Sequence, residues 1–223
     1  MLDEVLKIAP DHGREAVARL VAENPPLHDW GHGLQNGGIA GEIASTLGAY
    51  LLDGFGYGNF RSIETGAGLS TLIFLACNPL WHFSVTPDAA LKDLLESEAK
   101  GRGLASSNWR HEINYSEYVI PPLALDGDHK VDIAMIDGGH GWPTVFVDFC
   151  YLNMMLRQDG IMIVDDILAF PCSQLFMLLK HQPGWELEKI IWSKTAFFRK
   201  KTSAKLLPDF GGQPYLTNNM LFR

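Results

Sequence analysis

Cysteine is scarce in this chain, positive charge is in the minority, and no long apolar run is present. Cys77, Cys150 and Cys172 are odd in number and far apart. That spacing excludes a disulfide framework and the paired ligands of a structural zinc site, and it leads us to expect a reducing, cytoplasmic setting. No apolar stretch reaches the ~18 residues that a membrane span needs, so no membrane partner is expected. Lys and Arg number 18 against 26 Asp and Glu, for a formal net charge of −8. A nucleic-acid partner is not expected from that balance. The one dense basic run, Arg199-Lys200-Lys201, is short and reads as a solvated strand end. Met1-Leu2-Asp3-Glu4 opens with acids instead of a basic segment, so a secretory leader is not expected. Internal repeats and low-complexity tracts are also lacking.

What is present suits one large α/β domain, since 223 residues are awkward for two complete ones. Residues 3–23 have helical apolar spacing, with a break expected at Pro10 and Gly13. Residues 24–38 hold Pro25, Pro26, Gly31, Gly33, Gly37 and Gly38, and read as a loop that carries His28, Trp30 and His32. Those three side chains either close over a substrate or belong to a surface loop that packs one tryptophan. Residues 39–53 read as a helix.

From residue 60 onward strands and helices alternate. Strands are expected at Phe60–Glu64, Trp81–Thr86, Trp109–Tyr115, Val131–Asp137 and Ile161–Asp165. Helices are expected at Leu69–Cys77, Pro87–Lys100, Pro143–Arg157 and Pro171–Gln182. The alternation argues for a doubly wound, mostly parallel sheet. Glu186–Trp192 and Thr195–Lys200 are separated only by Ser193-Lys194. A gap that short makes a hairpin, so the last strand runs antiparallel.

Gly66-x-Gly68 lies between a strand and a helix. Glycine lacks a Cβ, so a ligand can lie against the backbone there, beside the free N–H groups of a helix start. A tight turn with no ligand explains the same pattern. A dinucleotide fingerprint would place a third glycine at Thr71, which disfavours an NAD-linked reductase. Glu64, at the strand tip, would repel a pyrophosphate and tolerate a ligand carrying sulfonium and ammonium charges.

The segment Ile63-Glu64-Thr65-Gly66-Ala67-Gly68-Leu69-Ser70-Thr71 resembles the first motif of the class I S-adenosylmethionine methyltransferases, and the reversed last strand resembles the end of their fold. The resemblance covers about residues 60–200. It implies a seven-stranded Rossmann-like methyltransferase fold, with S-adenosylmethionine as cofactor. An N-terminal segment (1–58) would cover the substrate site, the core would span 59–201, and 202–223 would be a C-terminal tail, either an arm on a neighbouring subunit or a partly ordered end. It also implies cofactor contacts from Glu64, Thr65, Gly66, Ala67, Gly68, Ser70 and Thr71, with Ser116 and Glu117 near the adenine. The usual ribose-binding acid has slipped past Pro87 to Asp88, which either binds the ribose or caps the next helix.

The resemblance makes the fourth and fifth strands neighbours, so Asp137, Asp165 and Asp166 would converge at their carboxyl ends. Crowded carboxylates repel one another, and a divalent cation of the oxygen-preferring kind (magnesium, manganese or calcium) would relieve that repulsion. Ile136-Asp137-Gly138-Gly139-His140 adds a histidine three residues past the first acid. This set is similar to that of metal-dependent small-molecule O-methyltransferases of the catechol and macrolide-sugar types. It implies transfer of a methyl group to a hydroxyl of a small molecule, with Asp137 and His140 catalytic, His140 as base and Asp137 also at the cofactor. A homodimer is expected by the same analogy. Plainer readings stand beside these: Asp137 as a cap or cofactor contact, Asp165-Asp166 as a strand-end turn, His140 as a structural histidine. At the level of function the alternatives are a metal-independent methyltransferase and a non-catalytic cofactor-binding module. Trp142 either shapes a pocket or packs in the core.

Overall fold

The computed structural model describes residues 2–205, with side chains described from residue 11. The tail expected at 202–223 therefore lies outside the described residues from 206 onward. Contacts group the chain into two compact units that divide after Tyr115.

In the first unit, α1 (Leu2–Glu23) leads to a small antiparallel ribbon, β1 (His28–Asp29) with β2 (Leu34–Gln35). Next comes α2 (Gly41–Ala49), which runs on as a π-helical turn over Tyr50–Phe55. Then β3 (Arg61–Thr65), α3 (Leu69–Ala76), β4 (Trp81–Thr86), α4 (Ala89–Gly101) and β5 (Trp109–Ile113) alternate. In the second unit the elements are α5 (Ser116–Asp126), β6 (Val131–Ile136), α6 (Thr144–Met155), β7 (Leu156–Val164), α7 (Cys172–Lys180), β8 (Trp185–Ile191) and β9 (Thr195–Lys200). The strands form one seven-stranded sheet in the order β5-β4-β3-β6-β7-β9-β8. β4 runs parallel to β3 and β5, β7 runs parallel to β6, and β9 is antiparallel to both β7 and β8. This is the expected doubly wound, mostly parallel α/β sheet of Rossmann-like methyltransferase type, with its reversed last strand.

Side-chain chemistry explains the order of strands. β6 and the end of β7 are almost wholly apolar and buried, as strands covered on both faces must be. The edge strands carry charge instead: Arg110 and Glu112 on β5, and Glu186, Glu188 and Lys189 on β8. Charged edges discourage pairing with another sheet. Among the described residues no helix is long and apolar enough to cross a membrane, and Cys77, Cys150 and Cys172 are all free thiols.

Several local expectations change. α1 runs unbroken through Pro10 and Gly13. Gly13 serves close packing, since a Cβ there would meet Tyr57 at 2.7 Å. The loop at 24–38 contains the β1–β2 ribbon. β7 begins at Leu156, five residues before the expected Ile161, because Leu156 pairs with Val131 ahead of a register shift. The helix α5 was not expected at all, since Pro121 and Pro122 lie inside it and each removes a backbone donor.

Candidate active site

In the first unit the candidate residues gather at the loop after β3. Gly66 has φ +86, a conformation that costs any residue with a Cβ ~1–2 kcal/mol, and its N–H donates to the Val85 carbonyl at 2.9 Å. The Gly68 N–H donates to Thr71 Oγ1 at 3.0 Å, which draws the loop onto the first turn of α3. The His28 ring of the N-terminal ribbon lies against Gly68, where an added Cβ would come within 2.9 Å of its Nε2. Burial lowers the His28 pKa, with Asp88 opposing. His28 stacks on Trp30, their ring centroids 5.5 Å apart. Trp30 is exposed, so the loop does not bury its tryptophan.

Glu64 lies beneath this loop. Its side chain is fully enclosed, and both of its oxygens are taken. Ser70 Oγ donates to Oε2 at 2.7 Å, Thr71 Oγ1 donates to Oε1 at 2.5 Å, and His82 Nε2 lies 3.2 Å from Oε1. His82 in turn contacts Ser62 Oγ at 2.9 Å through Nδ1. Glu64, Ser70 and Thr71 are thus bound to one another beneath the loop. Asp88 is exposed and caps α4, accepting from the Leu91 N–H at 3.1 Å. The buried Thr65 Oγ1 has no hydrogen-bond partner. That orphan hydroxyl, the left-handed Gly66 and the Cβ-free approach at Gly68 fit a cofactor held mainly by backbone.

In the second unit a separate cluster lies at the carboxyl ends of β6 and β7. Their parallel register pairs Ile136 with Val164, and the Asp165 N–H donates to the Ile136 carbonyl at 3.0 Å. Asp137 and Asp165 therefore lie side by side, as expected. Asp166 adopts φ +49, a left-handed conformation unusual for a residue with a side chain. His140 sits between acids, with Nδ1 3.0 Å from Asp166 Oδ2 and Nε2 3.7 Å from Asp137 Oδ1. At that distance Nε2 makes no hydrogen bond, and its contact with Asp137 is electrostatic. Asp137 chiefly raises the His140 pKa; burial opposes this, and Asp166 and Asp165 add to it. Burial chiefly raises the Asp137 pKa; His140 lowers it and Asp165 raises it further.

Lys194, in the hairpin connection between β8 and β9, carries no local sequence signal of a role in this cluster. Its Nζ forms an ion pair with Asp165 Oδ2 and lies 2.9 Å from Asp166 Oδ1. Thr195 Oγ1 donates to Asp165 Oδ1. Every oxygen of Asp165 and Asp166 is thus engaged by Lys194, Thr195 or His140. The expected divalent ion on Asp137, Asp165 and Asp166 does not fit this donor set: the oxygens it needs are in use, and an ammonium group stands among them. Among the described residues no group of three or more His, Cys, Asp or Glu is arranged to hold a metal ion. Ser116 and Glu117 open α5, where Glu117 Oε1 accepts from Thr144 Oγ1. Trp142 is exposed, which removes the core reading.

Residues 63–167 match the family described as "Methyltransferase domain". That span starts in β3 and ends just past Asp166, so it includes both the glycine loop and the acids. No curated protein shows significant similarity to the sequence. Solved structures with a similar fold include the O-methyltransferase TomG from Streptomyces achromogenes, involved in tomaymycin synthesis, in complex with S-adenosylmethionine. It is 13% identical, with 84% of this chain and 90% of that chain covered and a TM-score of 0.61. Cofactor-bound Rv0187 from MTB is 12% identical over 88% and 89%, with a TM-score of 0.57. The branched-chain polyamine synthase from Thermus thermophilus, in complex with N4-aminopropylspermidine and 5'-methylthioadenosine, is 13% identical over 88% and 67%, with a TM-score of 0.56. At these identities the likeness is one of fold. The matched domain covers just under half of the chain, and it and the fold are both of the methyltransferase kind.

Proposed function

We propose that the protein transfers the methyl group of S-adenosylmethionine to a hydroxyl of a small molecule, with His140 as the general base. The observation that carries this reading is the state of the His140 ring. Nδ1 is anchored at Asp166, while Nε2 is buried without a hydrogen bond and faces Asp137 Oδ1 at 3.7 Å. In the neutral ring Nδ1–H donates to Asp166, which leaves the Nε2 lone pair to accept a proton. Asp137 strengthens that base by raising its pKa.

When bound, S-adenosylmethionine supplies an electrophilic methyl group on a sulfonium. Thr65 and the backbone of Gly66, Ala67 and Gly68 would hold its methionine end, with Glu64, Ser70 and Thr71 fixing the loop from below. Asp88 would meet the ribose with the oxygen that does not cap α4, and Ser116 and Glu117 would stand at the adenine. Asp166 is a positioning residue, since it acts through His140. In the chain, large apolar side chains at Trp142, Leu168 and Phe170 flank these acids and are exposed, which suits an acceptor with an apolar body. Of the two forms of the reaction, metal-assisted and metal-free, the occupied oxygens of Asp165 and Asp166 favour the metal-free one.

Calorimetric titration with S-adenosylmethionine, followed by assay against a panel of small phenols and sugar alcohols, tests the reading. Binding and methyl transfer to oxygen are expected. No heat of binding at millimolar cofactor would sink it.

A further inference from the structure

We propose that the Lys194 ammonium is a built-in cation that takes the role three converging carboxylates would otherwise demand of a divalent metal ion. The placement begins in the backbone. Trp192 and Ser193 both have positive φ, 51° and 54°, the geometry of a tight hairpin turn whose twist matches the flanking strands. The Lys194 N–H donates to the Ile191 carbonyl at 2.9 Å, closing that turn. The Lys194 carbonyl accepts from the Ile167 N–H, also at 2.9 Å, which stitches the hairpin to the chain just after Asp166. The side chain therefore starts from a point fixed against the acids it neutralises.

Lys194 Nζ bridges Asp165 Oδ2 and Asp166 Oδ1. Asp165 is almost fully buried and Lys194 is partly buried. A buried charge needs a hydrogen-bonded partner, and this bridge provides one for two acids at once. An ammonium group differs from a metal ion in what it can do. It offers directed N–H bonds and no open coordination position, so it neutralises and orients these carboxylates without ligating an acceptor oxygen as a metal ion would. Through Asp166 it also fixes the anchor of the His140 ring, so its part in the chemistry rests on the methyl-transfer reading above. Its part in charge balance stands on the contacts alone.

The test uses the full-length chain and its Lys194→Met and Lys194→Arg variants, with Mn2+ as probe. Mn2+ uptake is followed by electron paramagnetic resonance and thermal midpoint by scanning fluorimetry, with and without EDTA. The wild-type protein is expected to take up no Mn2+ at millimolar concentration and to keep its midpoint in chelator. Lys194→Met is expected to melt lower in EDTA, to recover with Mn2+, and to bind a single ion. Lys194→Arg keeps a cation and is expected to ignore the metal. Wild-type uptake of Mn2+ with a raised midpoint overturns the proposal, as does a folded Lys194→Met that remains indifferent to metal. If Lys194→Met does not fold, the wild-type and Lys194→Arg titrations decide. None of these readouts needs methyl transfer. Calorimetry with S-adenosylmethionine on the same wild-type sample therefore tests the methyltransferase reading separately.

Discussion

His140 Nδ1 lies 3.0 Å from Asp166 Oδ2, so a ring carried by the turn after β6 is anchored by an acid at the end of β7. The anchor leaves Nε2 facing Asp137 without a hydrogen bond, and that nitrogen is the one the proposed chemistry uses.

His140→Gln removes the base without emptying the site. Methyl transfer to a hydroxyl should fall by a factor on the order of 10²–10⁴, the usual contribution of a positioned base, while cofactor affinity stays within about twofold of wild type. Steady-state kinetics with calorimetry checks this. A variant with full activity would leave His140 with a structural role.

The pH profile should carry the mark of the acids around His140. The working base is the neutral ring, and its pKa lies above the usual 6.5, chiefly because of Asp137. Activity should therefore rise with pH, with a midpoint above 6.5. Asp166→Asn removes a negative charge that also raises the His140 pKa, so the rising limb should move toward acid. For stability the sign is opposite. A raised folded-state pKa favours the folded protein fully below the unfolded value, and that gain is lost as pH climbs through the folded one. A kcat/KM profile of Asp166→Asn that coincides with wild type would separate Asp166 from the base.

Gly66→Ala places a Cβ on a residue at φ +86 and should cost ~1–2 kcal/mol of stability, with weaker cofactor binding. Gly68→Ala meets a different obstacle, the His28 ring 2.9 Å from the new Cβ. Shortening the obstacle in the double variant Gly68→Ala/His28→Ala should restore part of the lost stability, whereas His28→Ala should not rescue Gly66→Ala. Thermal unfolding of the singles and doubles measures that coupling.

Glu64→Gln tests whether this acid supports the loop or faces the ligand. The carboxylate is enclosed and engaged by Ser70, Thr71 and His82. Hydrogen bonds to a charged group are worth ~1.5–3 kcal/mol, so urea unfolding should show a loss of about that size. A variant of unchanged stability that binds S-adenosylmethionine poorly would return Glu64 to direct contact with the cofactor.

The order of elements from β3 onward was legible because apolar runs such as Val131–Ile136 and Ile161–Val164 can only be buried strands, and because two residues between Ile191-Trp192 and Thr195 can only turn back. The helix α5 was hidden because Pro121 and Pro122 oppose helix locally, and tertiary packing overrides that preference. The β1–β2 ribbon was hidden because two-residue strands carry too short a pattern. In the site, Asp137, His140, Asp165 and Asp166 were found from their place after apolar strands. Lys194, Thr195 and His82 were missed, since each meets its partner only after the sheet has formed.

By itself the sequence determined the class of fold, the glycine loop and the cluster of acids at strand ends, because periodicity, glycine and unpaired charge act over a few residues. Tertiary structure decided what balances those acids. Lys194 is 28 residues from Asp166 in the chain, and only the pairing of β7 with β9 brings the hairpin turn to it. Three carboxylates read alone call for a metal ion; folded, two of them share an ammonium group. The burial of Glu64 was settled in the same way, by donors from α3 and β4 that close over it.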